Sequence, residues 1–300
     1  MPGGQLMHPL LERVCVELVM GLQNGMVLAL VAAGFTLILG VMNIVNFAHG
    51  EFHMAGAFTG WLVLTAIAPA VGFWGAVVLA GVIVAGFALV IEQGLFASTR
   101  GSGPFIPLLV SFGLALVLQQ AALAIFGTVG KYIDPPTKAS LPFFSLQFPV
   151  YRLIIMGVSA SIIVALWLFM TRTRWGTFIR ATIQDREMAE CMGVPVPRVY
   201  QVVFAVGCGI SAISGVLVAP IFSVSYSMGI DIIVQAFIVV VVGGLGSLAG
   251  AMIAALMISV LESMASIFLQ GSQPQILSLL VLLGFLLFRP QGLFGERGLQ

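Results

Sequence analysis

Charged residues are scarce in this chain. Asp, Glu, Lys and Arg make up 8% of its 300 residues, against roughly 25% in an average soluble domain. Hydrophobic residues make up 60%, and a soluble fold of this size could not keep so apolar a surface in water. The formal net charge is +1, so the composition gives no reason to expect a nucleic-acid partner. A membrane protein is indicated instead.

Cysteine is also scarce. Cys15, Cys191 and Cys208 have neither metal-ligand spacing nor a paired framework, so we interpret them as small apolar or incidental residues. The glycine-rich run 243–247 lacks the Lys and Ser or Thr of a Walker phosphate loop, so nucleotide binding by this chain is not expected. The N-terminus lacks the basic region and cleavage site of a secretory signal, and the first apolar run is expected to be a retained span. Neither a metal nor a cofactor is expected.

Long apolar runs, in contrast, recur from one end of the sequence to the other. The hydrocarbon core of a bilayer is about 30 Å thick and needs roughly 20 apolar residues per helical span. Backbone groups in lipid must be paired within helices or closed barrels, and these runs are longer and more uniformly apolar than barrel strands. We therefore predict an all-α, polytopic transmembrane helix bundle that forms a single domain, residues 1–300. Its apolar segments lie near 14–41, 52–68, 72–91, 104–127, 150–170, 199–221, 232–248, 249–269 and 276–288.

Basic residues predict the orientation of the bundle, because short cytoplasmic loops are enriched in Lys and Arg. Eight of them fall in the polar segments 92–103 and 171–198 and in the C-terminal tail, namely Arg100, Arg172, Arg174, Arg180, Arg186, Arg198, Arg289 and Arg297. Even numbers of apolar segments separate these three stretches, so all three are expected on one side. We predict that this side, with the C-terminus, is cytoplasmic; the side of the N-terminus stays open.

The densest polar cluster among the N-terminal spans is the segment 43–53, which reads Asn-Ile-Val-Asn-Phe-Ala-His-Gly-Glu-Phe-His. Polar groups at membrane depth usually face a cavity, a partner or an interface. The two histidines are spaced i, i+4, but the zinc-protease pattern needs Glu directly after the first His, and no third ligand is evident.

A broken transmembrane helix that lines a solute path is the favoured interpretation of this cluster, and a plain surface loop is the alternative. The two asparagines would pair freed backbone groups, and Gly50 would permit the break. The residues assigned to the path are Asn43, Asn46, His49 and Glu51.

The polar segment 171–198 is predicted to contain a short amphipathic helix over 178–192, which ends at Gly193 and is stopped by Pro195. The favoured function is docking of a soluble partner on the cytoplasmic side. A helix that lies on lipid headgroups is the alternative.

Small residues at four-residue spacing predict close helix packing on two spans. One stripe consists of Gly207, Ser211, Gly215 and Ala219, and the other of Gly246, Gly250 and Ala254; Gly243 and Gly244 mark a tight turn or close crossing beside it. Packing within the chain is favoured over a subunit interface.

Four motifs in the same order resemble the LivH family of permease subunits from bacterial ABC importers of branched-chain amino acids, and the resemblance covers nearly the whole chain. The first is the run 40–57 around Asn-Phe-Ala-His-Gly, and the second is Arg180-Ala, Asp185, Glu187-Met-Ala and Met192-Gly-Val. The third is Ala236-Phe with Val240 to Ser247 and Gly250-Ala, and the fourth is Arg289-Pro-Gln-Gly-Leu-Phe-Gly295.

The resemblance implies about eight spans in the bacterial inner membrane, with residues 171–198 as a coupling loop. It implies a second related permease as heterodimer partner, two ATP-binding subunits that hydrolyse ATP, and an external substrate-binding protein. This chain would then be a transport subunit and not an enzyme. The ATPase-coupling residues it implies are Arg180, Asp185, Glu187, Met188, Ala189 and Gly193, although Met188 replaces the middle Ala of the general Glu-Ala-Ala pattern.

The solute is left open by the sequence. Branched-chain, hydrophobic amino acids are the favoured substrates, and urea or short amides are the alternative within the importer class. A secondary transporter or channel that works alone is the alternative from another class.

Overall fold

The computed structural model describes residues 4–143, 146–289 and 292–294, so Pro290, Gln291 and Gly295 of the fourth motif lie outside the described residues. Helices dominate the described chain. They are α1 (Gly4–Met42), α2 (His49–Ile91), α3 (Phe105–Phe126), α4 (Val150–Arg172), α5 (Arg174–Gln184), α6 (Arg186–Cys191), α7 (Val196–Val218), α8 (Met228–Gly243), α9 (Leu248–Ala265) and α10 (Gln273–Phe288). A π-helical turn, Glu92–Phe96, and a 3-10 turn, Ala97–Thr99, extend α2.

Six stretches of helix are long and apolar enough to cross a bilayer, namely Glu12–Met42, Ala70–Thr99, Phe105–Phe126, Val150–Arg172, Val196–Val218 and Leu248–Ala265. Two further helices, α8 and α10, are also apolar but are shorter than these six. These helices confirm the predicted polytopic helical membrane protein. The number of spans and the cytoplasmic C-terminus stay predictions.

The predicted segments 52–68 and 72–91 belong to a single stretch, α2, which is bent between them. Ile67 (φ −135°, ψ 20°) and Gly72 (φ 63°, ψ 177°) are non-helical, and the positive φ at Gly72 is one that glycine adopts without strain. The bend divides α2 into an arm that begins at His49 and a longer arm that ends at Ile91.

The core forms where α2 and α1 pack on α7, whose Val203, Cys208 and Ala212 are fully buried. Glycine allows the backbones to touch, because a Cβ on Gly56 would lie 2.4 Å from the Cα of Ala212. Close backbone approach of this kind replaces the hydrophobic effect as the reason for helix association in lipid.

The predicted stripes of small residues face neighbouring helices of this chain. A Cβ on Gly207 would lie 2.9 Å from the carbonyl oxygen of Gly34, and one on Gly215 would lie 2.1 Å from that of His53. Gly243 and Gly250 face one another across the α8–α9 turn, with a Cβ on Gly250 placed 2.1 Å from the carbonyl oxygen of Gly243.

The prediction of the second stripe is wrong for Gly246. Gly246 precedes α9, and nothing lies within 4 Å of the position a Cβ would take there. Its φ of 86°, like the φ of 105° at Gly244, belongs to the turn between α8 and α9. Glycine suits these two positions because it adopts a positive φ without strain, and neither residue lies on a helix face.

The polar segment 128–149 contains a short antiparallel hairpin, β1 (Ser140–Phe143) and β2 (Leu146–Pro149), which the sequence interpretation missed. A bridge between Lys131 and Val224 ties this segment to the α7–α8 connection.

Candidate functional site

The helix break predicted at segment 43–53 is present. Helix α1 ends at Met42, residues 43–46 are non-helical, and α2 begins at His49 after a turn. Asn43 is exposed and has a φ of 52°, which is unusual for a residue other than glycine. A non-helical backbone at membrane depth is tolerated where protein or a water-filled cavity surrounds it.

Side chains pair two of the freed backbone N–H groups. The Asn46 Oδ1 accepts a hydrogen bond from the Ala48 N–H (3.1 Å), and the Ser111 hydroxyl of α3 accepts one from the Phe47 N–H (3.1 Å). Gly50, which was expected to permit the break, instead lies in the first turn of α2. A Cβ there would lie 2.1 Å from the carbonyl oxygen of Gly229, so this glycine serves close packing against α8.

The start of α2 lies deep within the bundle. The His49 Nε2 donates to the carbonyl of Val31 (3.1 Å), and the Ser211 hydroxyl donates to the carbonyl of His49 (3.3 Å). Val31 precedes the end of α1 by eleven residues, or about 16 Å of helix. The chain therefore turns back after Met42, and the break carries its polar residues towards the middle of the bundle.

Both histidines are buried and each has a protein partner. Because the Ser214 hydroxyl donates to the carbonyl of Ser211 (2.6 Å), it accepts from the His53 Nδ1 (2.8 Å). Across the residues described, no third imidazole, carboxylate or thiol joins them in a group that would hold a metal.

Three buried polar atoms near the break have no hydrogen-bond partner: the Asn46 Nδ2, the His49 Nδ1 and the Glu51 Oε2. Buried polar atoms are nearly always paired with protein or water, and exceptions mark strain or function. A concentration of unpaired donors and acceptors on one short segment is the arrangement expected where water or a polar solute passes.

A cavity of about 400 Å³ adjoins this segment and is lined by Phe47 and Glu51 together with residues of α3, α8 and α10. Glu51 is 1% exposed, and a Cβ on Gly229 would lie 2.5 Å from its Oε2. The break and the cavity therefore share one carboxyl group. The exposed Asn43 does not line this cavity, nor do the buried Asn46 and His49.

The polar segment 171–198 forms two helices, α5 and α6, so the expectation of one helix over 178–192 is wrong at Asp185. Asp185 is extended (φ −156°, ψ 108°), and its carboxylate accepts a hydrogen bond from the Met188 N–H (3.0 Å). An N-cap Asp competes with helix continuation in this way. Gly193 follows α6 with φ 83°, as predicted for a C′ residue.

The surface of α6 is exposed at Glu187 and Met188, while Ala189 packs inward. Arg180 of α5 donates a hydrogen bond to the carbonyl of Met170 in α4. The coupling-loop residues that the resemblance implies are thus brought together on two short helices at one end of α4.

Sequence interpretation missed a cluster of aromatic and charged groups that joins α6 to α2. The Tyr200 ring has two guanidinium groups over it, with its centroid 5.3 Å from the Cζ of Arg100 and 5.5 Å from that of Arg186. Arg100 also pairs with the fully buried Glu92 in the π-helical turn. Such turns are frequent at functional sites. Glu92 and Arg100 are eight positions apart in the chain. The contact of Arg100 with Tyr200 of α7 could not be predicted from a local sequence pattern.

The Glu92–Arg100 pair supplies a stability prediction. Arg100→Met leaves a buried carboxylate without its cation, so the free energy of unfolding should fall by about 3–5 kcal/mol. The double variant Arg100→Met with Glu92→Gln should recover most of that loss, because no charge is then left unpaired. Thermal unfolding of the purified protein in detergent measures both; equal losses in the single and double variants would contradict this account of the pair.

Comparisons with known proteins identify the family of the chain. The family model described as "Branched-chain amino acid transport system / permease component" matches residues 18–289. The high-affinity branched-chain amino acid transport system permease protein LivH of Salmonella typhimurium is 28% identical, over 92% of this chain and 94% of its own. BraD of Pseudomonas aeruginosa, with the same description, is 27% identical over 93% and 95%. Among solved structures, PsaBC from Streptococcus pneumoniae in complex with Fab has a TM-score of 0.46 and 15% identity, covering 90% and 89% of the two chains.

Proposed function

Because this chain belongs to the family of permease components of branched-chain amino acid transport systems, we propose that it translocates branched-chain, hydrophobic amino acids into the cytoplasm in an ATP-driven ABC importer. It is a membrane transport subunit and not an enzyme. The proposed location is the bacterial inner membrane. The resemblance to permease subunits of ABC importers suggests a second permease, two ATP-binding subunits and an external substrate-binding protein as partners.

The observation that carries the proposal is the helix break at residues 43–48. Transporters place solute sites near the midplane, where discontinuous helices leave backbone and polar side chains free to meet the solute. Here the break brings Asn46, His49 and Glu51 into the interior of the bundle, each with an unpaired polar atom. Asn43, exposed at the end of α1, is proposed as the cytoplasmic side of the same path.

Helices α5 and α6 are proposed as the contact with an ATP-binding subunit. Glu187 and Met188 present an acidic and an apolar group on an exposed surface, and Met188 is 59% exposed. Asp185 and Gly193 fix the two ends of α6, and Arg180 ties α5 to α4. Two short helices capped at both ends form a rigid surface for a partner.

Two routes join this surface to the solute path. Through Arg186, α6 contacts the Tyr200 ring, and this ring in turn contacts Arg100, which pairs with Glu92 at the end of α2. Through Ile183, α5 approaches Gly40, where a Cβ would lie 3.9 Å from the Ile183 Cδ1, just before the break. Closure of the ATP-binding subunits would shift these helices and so change the balance between the outward-open and inward-open states of the permease pair. For this to occur, the ATP-binding subunits must bind the two states of the permease pair with different affinity.

The solute assignment is tested on the external substrate-binding protein proposed as a partner of this chain. We expect it to bind leucine, isoleucine and valine in calorimetric titrations and to ignore urea. Binding of urea alone would transfer the proposal to the short-amide importers, the alternative within this class.

A further inference from the structure

We propose that the cavity beside Glu51 is a binding site for a solute with a primary ammonium group on an apolar body, the chemistry shared by leucine, isoleucine and valine. The inference rests on the proposed function, because it assigns a substrate class to a site on the path proposed there.

The walls of the cavity are apolar. Phe112 and Leu116 of α3 face Ile233 and Phe237 of α8, with Leu282 of α10 alongside. The volume of about 400 Å³ falls within the range of roughly 300–1,000 Å³ that small-molecule sites occupy. A branched aliphatic side chain gains free energy on burial against such walls, whereas a polyhydroxylated or amide solute would lose hydrogen bonds to water.

Polar groups on the wall are confined to Glu51 and Gln119. The Glu51 Oε2 is buried and has no hydrogen-bond partner, and within the described chain no cation is paired with this carboxyl group. An unpaired carboxylate in an apolar enclosure favours a cation that can donate hydrogen bonds and disfavours a second anion. An ammonium group meets that requirement, and Gln119 can donate to the carboxylate of the same solute.

Gly229 fixes the position of this carboxyl group. A Cβ there would lie 2.5 Å from the Glu51 Oε2 and 2.6 Å from its Cδ. No larger residue fits between α8 and the carboxyl group unless that group moves. Gly229 is therefore a specificity-determining position for the same site.

One side of the cavity opens at the surface of the chain, where Phe112 is 52% exposed and Val234 is 46% exposed.

Occupancy can be read from the labelling rate of a cysteine at Ala115, on the wall of the cavity. The variant Ala115→Cys is made with the three native cysteines replaced, and the transporter is purified with its partner subunits in nanodiscs. The probes are leucine, 3-methylbutan-1-amine, which lacks the carboxylate, and 4-methylpentanoate, which lacks the ammonium group. We expect leucine and the amine to slow maleimide labelling and the acid to leave it unchanged.

Glu51→Gln keeps the shape of the side chain and removes its charge, so the leucine concentration that gives half-protection should rise about tenfold or more. Gly229→Ala, which displaces the carboxyl group, should act in the same direction. Glu262→Gln, a carboxyl in α9 that does not line the cavity, is the matched control and should leave protection unchanged.

The inference would be overturned by equal protection from all three probes, by protection from none of them, or by unchanged protection in Glu51→Gln. Protection from none is the result expected if lipid or a partner helix fills the cavity. Leucine uptake by the same preparation separates the two levels of the proposal. Uptake without protection would reject this site and leave the proposed function standing. Absence of both uptake and protection would reject both.

Discussion

Glu187→Lys should abolish coupled transport while leaving the protein in the membrane. Glu187 is exposed on α6, where the resemblance to ABC permeases places the contact with an ATP-binding subunit. Reversing a charge at a docking surface costs enough to weaken association about tenfold or more. In vesicles that contain the whole complex, ATP-dependent leucine uptake should fall by at least that factor, and hydrolysis of ATP should no longer respond to the loaded binding protein.

Lys138→Glu is the matched control. It changes the charge by the same amount at an exposed residue of the 128–149 segment, and it disturbs only a surface pair with Asp134 (3.8 Å). One predicted span, 104–127, separates this segment from 92–103, so the two are expected on opposite sides of the membrane. Uptake by Lys138→Glu should equal that of the unaltered protein. Normal coupled uptake by Glu187→Lys would remove the docking assignment of α6.

Gly56→Ala should be strongly destabilising, because its added methyl group meets several backbone atoms in the bundle core. The added Cβ would lie 2.3 Å from the carbonyl oxygen and 2.4 Å from the Cα of Ala212, and these backbone atoms cannot rotate aside as a side chain can. Helices α2 and α7 would have to separate, and overpacking of this kind costs about 1–3 kcal/mol or more. Thermal unfolding in detergent, followed by size-exclusion chromatography with fluorescence detection, should show a lower midpoint and less folded protein.

Gly86→Ala tests the same substitution in the other arm of α2. Nothing lies within 4 Å of the position that its Cβ would take, so the methyl group meets no atom, and replacing a helical glycine by alanine gains about 0.5–1 kcal/mol. The midpoint should stay the same or rise. Equal midpoints for the two variants would show that the contact at Ala212 does not limit helix packing.

The sequence predicted the parts of the fold that depend on local composition. The segment predicted at 104–127 is the helix Phe105–Phe126, and the one at 150–170 is Val150–Arg172. A long apolar run in lipid has one way to satisfy its backbone, so composition is sufficient there. The helix break was also predictable, since five polar or ionisable side chains and a glycine fall within the eleven residues 43–53.

The features that the sequence did not predict depend on contacts between distant residues or on a single dihedral angle. Periodicity over 178–192 indicates a helix but cannot report that Asp185 caps α6 and interrupts it. Gly50 was expected to permit the helix break but packs against Gly229, whereas Gly246 was expected on a packing stripe but lies in a turn. Two arginines stack on Tyr200, and one of them, Arg100, is about 100 residues away in the sequence. A local sequence pattern cannot predict a contact of this kind.

The proposed transport by this chain depends on ATP-binding subunits that dock on α5 and α6. It is tested by uptake of radiolabelled leucine into vesicles that contain this permease alone, or the permease with its partner subunits, each with and without ATP in the compartment that the ATP-binding subunits face. We expect uptake only when partners and ATP are both present. Uptake by the permease alone, at a rate that a proton or sodium gradient changes and ATP does not, would instead identify a secondary transporter.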